Sequence, residues 1–310
     1  MVDATRGPRG LVRYAWLLLA FNIAVILWGA YVRASGSGAG CGSHWPLCNG
    51  VILQRSPTAA TLIEYSHRLT SGLALLGVIV LLVWTWRRMP AGHPARLGAV
   101  LCVLFILTEA ALGAGLVLFQ LVADNATMAR AMFTAAHLLN TFVLLKVLTL
   151  TAWWLEGHPR LSLRVRPAAV AALCVAGVGI LLAGASGAIS ALGDTLYPSG
   201  SLAEGLRADL SPTSHFLIRL RIWHPAIAVT TAVLLLLIGA RMPRDGDRES
   251  QHYGRLLIGA VGLQIVVGMA NVLMLAPVAI QITHLFVADV VWMLFVIVSA
   301  HVLAWEGQAR

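Results

Sequence analysis

The chain has 310 residues, 59% of them hydrophobic and only 11% charged. That is too apolar for a water-soluble fold of this length, so lipid is the solvent for most of it. The formal charge of +9 is divided among short loops, with no basic stripe interleaved with aromatics, which argues against nucleic acid as a partner.

A spanning helix needs about 20 apolar residues. In chain order, the apolar runs predict spans at 14–34, 62–86, 97–119, 131–154, 168–190, 222–240, 256–275 and 280–304. The first run is long and has no small-residue cleavage site after it, so a retained first span is expected rather than a signal peptide. Arginines concentrate in segments 6–13, 87–96, 160–166 and 241–255, with Arg310 at the end. The alternate loops carry only Arg33, Arg55, Arg130, Arg207, Arg219 and Arg221. Loops richer in Lys and Arg mark the cytoplasmic face, which would hold both termini.

The two halves resemble each other. Gly29-Ala30 matches Gly184-Ala185, and Glu109-x3-Gly113 matches Gln264-x3-Gly268, both at an offset of 155. His67 matches His224 at 157 and His137 matches His284 at 147. The expected fold is therefore an all-α membrane protein: eight transmembrane helices as two tandem four-helix bundles, residues 1–160 and 161–310, with both termini cytoplasmic.

His67, His137, His224 and His284 all fall in the first two turns of spans that run inward, so they share one depth near the outer face. A lone intramembrane histidine can serve as a helix–helix hydrogen-bond partner. Four at one depth that also obey a repeat point to two metal-ligating pairs, and opposed imidazoles across a helical bundle grip a haem iron axially. His44, His93, His158, His252 and His301 read as solvated or interfacial, and His215 precedes span 6 without a clear task.

Glu64 lies three residues before His67, on the same helix face; Arg221 holds the matching place before His224. An acid beside a metal site can relay protons, or it can simply complement a helix start. The difference predicts a reacting site in the first half and an electron-transfer haem in the second. Arg33, Arg68, Arg219 and Arg221 stand near outer span ends, where they could pair haem propionates or snorkel. Cys41 and Cys48 fall in the first outer loop, facing an oxidising compartment, and a disulfide between them is favoured over two free thiols. Cys102 and Cys174 lie within spans and read as packing residues. The CxxCH pattern is absent from the sequence, so any haem would be held non-covalently.

These residues resemble the haem A synthase family. The loop Gly36-Ser37-Gly38 leading to Cys41, then Trp45-Pro46-Leu47-Cys48, is similar to that family's first extracytoplasmic loop, and Glu64-x-x-His67-Arg68 to its acid–ligand motif. His137-Leu138-Leu139-Asn140, His224-Pro225 and His284-Leu285 fall where the family has its other ligands. Gly42-Ser43-His44 stand where many members have Pro-Asp before Trp-Pro, and Ala30 where a second Gly is common. The resemblance implies an oxidoreductase that converts the C8 methyl of haem O to the formyl of haem A for terminal oxidases. It implies substrate haem between His67 and His137, with Glu64 catalytic, and a resident haem b between His224 and His284. It further implies the Cys41–Cys48 disulfide and contact with the haem O-producing farnesyltransferase, oxidase assembly factors and an electron partner in the cell membrane. Other classes that use the same residues are a di-haem membrane cytochrome b, a haem transport or chaperone protein, and a transporter relying on Glu109, Lys146 and Asp289, of which the last two could pair.

Overall fold

A computed structural model of the chain describes residues 6–52, 54–162, 167–241 and 248–308. Arg164, Arg166, Arg244 and Arg310, which enter the expected orientation, lie outside the described residues. The helices are α1 (Arg9–Ala34), α2 (Ala59–Arg88), α3 (Pro94–Leu118), α4 (Met128–Leu155), α5 (Pro167–Leu196), α6 (Leu202–Leu210), α7 (Phe216–Leu220), α8 (Trp223–Ala240), α9 (Arg248–Leu273) and α10 (Val278–Gln308). Among the described residues there is no strand; Cys48 and Val51 form one isolated bridge. Eight segments are long and apolar enough to cross a membrane, with α7 and α8 together (Phe216–Ala240) making one of them. This is a multi-pass helical membrane protein.

The helix starts follow local chemistry. The Thr58 hydroxyl accepts from the Thr61 N–H at the start of α2, and Thr127 accepts from the Arg130 N–H at the start of α4, each satisfying a backbone donor the helix leaves open. Pro94 begins α3, where its missing N–H costs nothing. The observed helices overrun several predicted spans: α5 continues to Leu196 and α9 begins at Arg248. Hydropathy locates only the lipid-embedded part of a helix, and polar turns project beyond it.

α1 packs on α2 and α4, and α3 on α2 and α4; α5 packs on α8 and α10, and α9 on α8 and α10. The two four-helix groups meet along α1, α4, α5 and α10. α4 and α10 are the most buried of the eight spans. At that seam the Trp292 indole N–H donates to the Phe142 carbonyl at 2.6 Å, and the two rings stack at 5.7 Å. An interhelical hydrogen bond in lipid contributes on average about 0.6 kcal/mol, so packing of the rings and of the surrounding Leu and Val carries more of the seam.

At the end of the bundle opposite the cysteine loop, Trp153 stacks on His158 at 4.4 Å, and His301 stacks on Tyr253 at 5.5 Å. His158 is half-buried and His301 buried, so both pack among aromatic rings rather than standing free in solvent. Cys102 is buried as expected, whereas Cys174 is exposed on α5. α6 is unanticipated. Its signal was present: Ser201 accepts from the Glu204 N–H while Glu204 accepts from the Gly200 N–H, close to a capping box, and Leu202, Leu206 and Leu210 recur at helical spacing.

Candidate functional site

The structure brings the four histidines into two pairs, each backed by glycines. A methyl group placed on Gly29 of α1 would lie 2.8 Å from His67 Cε1 on α2, and one on Gly113 of α3 would lie 3.4 Å from His137 Nε2 on α4. In the second half, one on Gly187 of α5 would lie 3.0 Å from His224 Cε1, and one on Gly268 of α9 would lie 2.9 Å from His284 Cε1. The contacts at Gly29, Gly187 and Gly268 are short enough that a Cβ would crowd the facing imidazole, whereas that at Gly113 is at ordinary contact distance. Gly187 thus stands to His224 as Gly29 stands to His67, whereas Gly184, matched to Gly29 by spacing, lies against the Phe142 ring.

His224 and His284 face each other with ring centroids 6.3 Å apart and planes at 88°. Two metal–nitrogen bonds of roughly 2 Å and two half-rings span about that distance. The Ser186 hydroxyl stands 3.2 Å from His224 Nδ1. His67 Nδ1 and His284 Nδ1 are buried without a hydrogen-bond partner. Unpaired imidazole nitrogens inside apolar spans are costly. The separation of His224 and His284 fits a flat metal group held between them, and the buried, unpartnered His67 Nδ1 leaves a nitrogen open for a ligand in the first half.

Around His137 a polar cluster joins α3 to α4. Asn140 Nδ2 donates to Glu109 Oε2 at 2.5 Å, and the Thr141 hydroxyl donates to Glu109 Oε1. His137 Nδ1 is 2.8 Å from Glu109 Oε1, with the oxygen off the line of the ring N–H, so the approach is electrostatic rather than a well-formed hydrogen bond. Thr108 and the Phe105 carbonyl hold Asn140 in turn. At the second site Gln264 Nε2 lies 3.3 Å from His284 Nε2, and its Oε1 has no partner.

Glu64 is buried, and its carboxylate is fully engaged. Oε1 accepts from Arg68 Nη2 at 2.5 Å and from Nε at 3.2 Å, and Oε2 accepts from the Cys41 N–H at 2.8 Å. Cys41 and Cys48 form a disulfide. Arg68 also donates to the carbonyls of His44 and Leu47, at 2.6 and 2.9 Å. A side chain at Gly40 would collide with the Ala60 carbonyl, so the loop lies directly on the first turn of α2. Glu64 and Arg68 therefore fasten the disulfide loop over the helix that carries His67.

The other arginines divide. Arg33 of α1 donates to the Ala191 carbonyl, the Thr195 hydroxyl and Gln281 Oε1, joining α1 to α5 and α10. Arg221 pairs with Asp194 at 2.9 Å and Asp209 at 2.8 Å. Arg219 is exposed. Lys146 and Asp289 do not pair: Lys146 is exposed, and both Asp289 oxygens are buried without a partner. In the sequence, Glu109 stands only as the repeat mate of Gln264 and as an ionisable group of the transporter reading; the pattern Glu109-x3-Gly113 opposite His137-x2-Asn140-Thr141 is the signal for its contact with His137.

Fold and site together define a polytopic helical membrane protein with one pair of glycine-backed histidines in each of two helix groups. A family model described as Cytochrome oxidase assembly protein matches residues 12–296, and the chain belongs to that family. A Protoheme IX farnesyltransferase of Thermus thermophilus is 47% identical over 296 residues, covering 94% of this chain and 48% of that protein. A Heme A synthase of Halalkalibacterium halodurans is 41% identical over 140 residues, 45% of this chain and 46% of that protein. One of Shouchella clausii is 40% identical over 111 residues, 36% of this chain and 37% of that protein. The chain spans about half the length of the first two curated relatives it matches, both named Protoheme IX farnesyltransferase.

Proposed function

We propose that the chain is a haem A synthase, an oxidoreductase that converts the C8 methyl of haem O to a formyl group. The observation that carries this reading is the pair of glycine-backed imidazole sites with unequal surroundings, in a chain of the cytochrome oxidase assembly family. In this reading the halves 1–160 and 161–310 are tandem repeats, and both termini face the cytoplasm. The sites lie toward the outer face of the cell membrane.

His67 and His137 hold the substrate haem, and His224 and His284 hold a resident haem b. A bound haem supplies the redox chemistry, and the protein supplies position and proton traffic. Written with water as the oxygen source, methyl to formyl releases four electrons and four protons, so an electron acceptor must be reached. The second site provides that route to an electron partner. Glu64, three residues before His67, is the catalytic carboxylate, and its bonds to Arg68 and the Cys41 N–H hold it in place. Arg33, Arg68, Arg219 and Arg221 pair the propionates; the first, second and fourth share their donors with protein partners.

The relative named Protoheme IX farnesyltransferase is about twice as long as the part this chain matches. Farnesyl transfer to protohaem and oxidation of the farnesylated product are consecutive steps, which makes such an enzyme the expected supplier of substrate. Oxidase assembly factors are the expected recipients of product.

The test is co-expression with a haem O-producing enzyme, followed by haem extraction and mass analysis. The formyl product is expected with the wild-type chain. With Glu64→Ala the product should vanish while the resident haem spectrum persists. Wild-type membranes that contain haem O and no haem A would overturn the assignment.

A further inference from the structure

The two sites differ in what stands behind the second imidazole of each pair. On α4, His137, Asn140 and Thr141 are related as i, i+3 and i+4 and share one face. On α3, Glu109 and Gly113 are i and i+4 and face it. The Glu109 carboxylate is fixed by the Asn140 amide and the Thr141 hydroxyl, and it lies 2.8 Å from His137 Nδ1. Gly113 meanwhile clears the space at Nε2, the opposite ring nitrogen. At the second site the residues matching Asn140 and Thr141 are Val287 and Ala288, which offer no side-chain donor, and Gln264 replaces Glu109. Gln264 approaches His284 through Nε2 and leaves its own Oε1 unpaired.

Resting on the haem-site reading above, we propose that Glu109 is a positioning residue that sets the orientation and basicity of His137 as a haem ligand, and so makes the first haem the lower-potential of the two. The chemistry is general. A carboxylate charge 2.8 Å from the far nitrogen of a ligating imidazole favours a proton on that nitrogen and raises the ligand's basicity. A more basic axial ligand favours the oxidised iron and lowers the reduction potential. The clamp of Asn140 and Thr141 keeps the carboxylate at Nδ1 and Nε2 free for the metal. The second site has an amide and no clamp, so its imidazole gains no such charge.

The experiment uses the purified full chain loaded with haem b, with optical redox titration of each haem. His137→Ala and His224→Ala identify which signal belongs to which site. Glu109→Gln keeps the shape and removes the charge. The first-site potential should rise, the second-site potential should stay, and haem affinity at the first site should fall by about 10- to 100-fold. Thr141→Val, which removes one clamp donor, should shift the potential the same way by less, and it serves if Glu109→Gln does not accumulate. Two bound haems with an unchanged first-site potential in these variants would overturn the positioning role and leave the site reading intact. A His137→Ala chain that titrates like wild type would overturn both.

Discussion

The first and second histidine sites share a backbone plan and differ in their polar surroundings. Each takes its first imidazole from a helix entering at the loop end, its second from a buried central helix, and a facing glycine for each ring. The first site adds Glu109, Asn140 and Thr141 behind one ligand and the Glu64–Arg68–disulfide brace above the other. The second adds Ser186 and Gln264, neutral groups, and its brace is Arg221 between Asp194 and Asp209. A shared frame explains how both could hold the same kind of flat group. Under the proposed function, the unequal charge assigns the reacting haem to the first site and the resident haem to the second.

The largest expected effect separates the pairs outright. His67→Ala or His137→Ala should remove one haem per chain and leave the spectrum of the other, and His224→Ala or His284→Ala should do the reverse. Pyridine-haem quantification against protein concentration reads the change from two haems to one. Loss of both haems from every single variant, in protein that remains folded by circular dichroism, would merge the two sites into one and end the comparison.

The next effect compares the braces. The Arg68–Glu64 side chains are 11% and 4% exposed, whereas Arg221 at 11% meets Asp194 and Asp209 at 25% and 20%. Breaking a buried pair from one side costs about 3–5 kcal/mol, and exposed pairs are worth about 0–1 kcal/mol. Arg68→Ala should therefore lower the thermal midpoint of the detergent-solubilised protein more than Arg221→Ala, which falls between the limits at about 1–3 kcal/mol. Arg68→Ala also frees the carbonyls of His44 and Leu47, so faster reduction of the Cys41–Cys48 disulfide should accompany it. Equal destabilisation by the two variants would remove the difference drawn between the braces.

Much of this was legible in the chain. Spans show because lipid imposes one rule along their whole length, and four histidines stand out because polar groups are rare there. The disulfide between Cys41 and Cys48 was favoured because they share one loop on one face, and the structure contains it. What stayed hidden depended on rotation about helix axes. Glu109 could face lipid, α2 or α4 with nearly the same sequence, and only the packing of α3 on α4 turns it to His137. The glycine facing His224 was hidden for a related reason: one turn of shift preserves the helix face, so Gly184 and Gly187 are near-equivalent in pattern while only Gly187 meets a histidine. Arg68 looked like a free cation near a span end, but its partners include three loop carbonyls and an acid one turn back, contacts created by the loop folding onto α2.

The smallest effect tests whether the comparison is local to the histidine end. Trp16 of α1 donates from its indole N–H to Glu156 Oε1 at 2.9 Å, just past the end of α4 and far along that helix from His137. Burial alone would push the Glu156 carboxyl up, but hydrogen bonds from His158 and Trp16 and nearby positive charge outweigh it, so it sits below the ordinary carboxylate range. The folded state thus favours the charged form. Its stabilisation is present above the unfolded value of about 4.3 and is lost as pH falls through the lower folded value. Trp16→Phe removes one of those donors. It should cost about 0.5–1.5 kcal/mol near neutral pH, with the deficit shrinking in acid, as read from thermal midpoints across pH 3 to 7. Because α1 also carries Gly29, any tilt of the helix would reach His67 first. Unchanged haem spectra at both sites would show that the difference between them resides in the groups around the imidazoles and not in the frame they share.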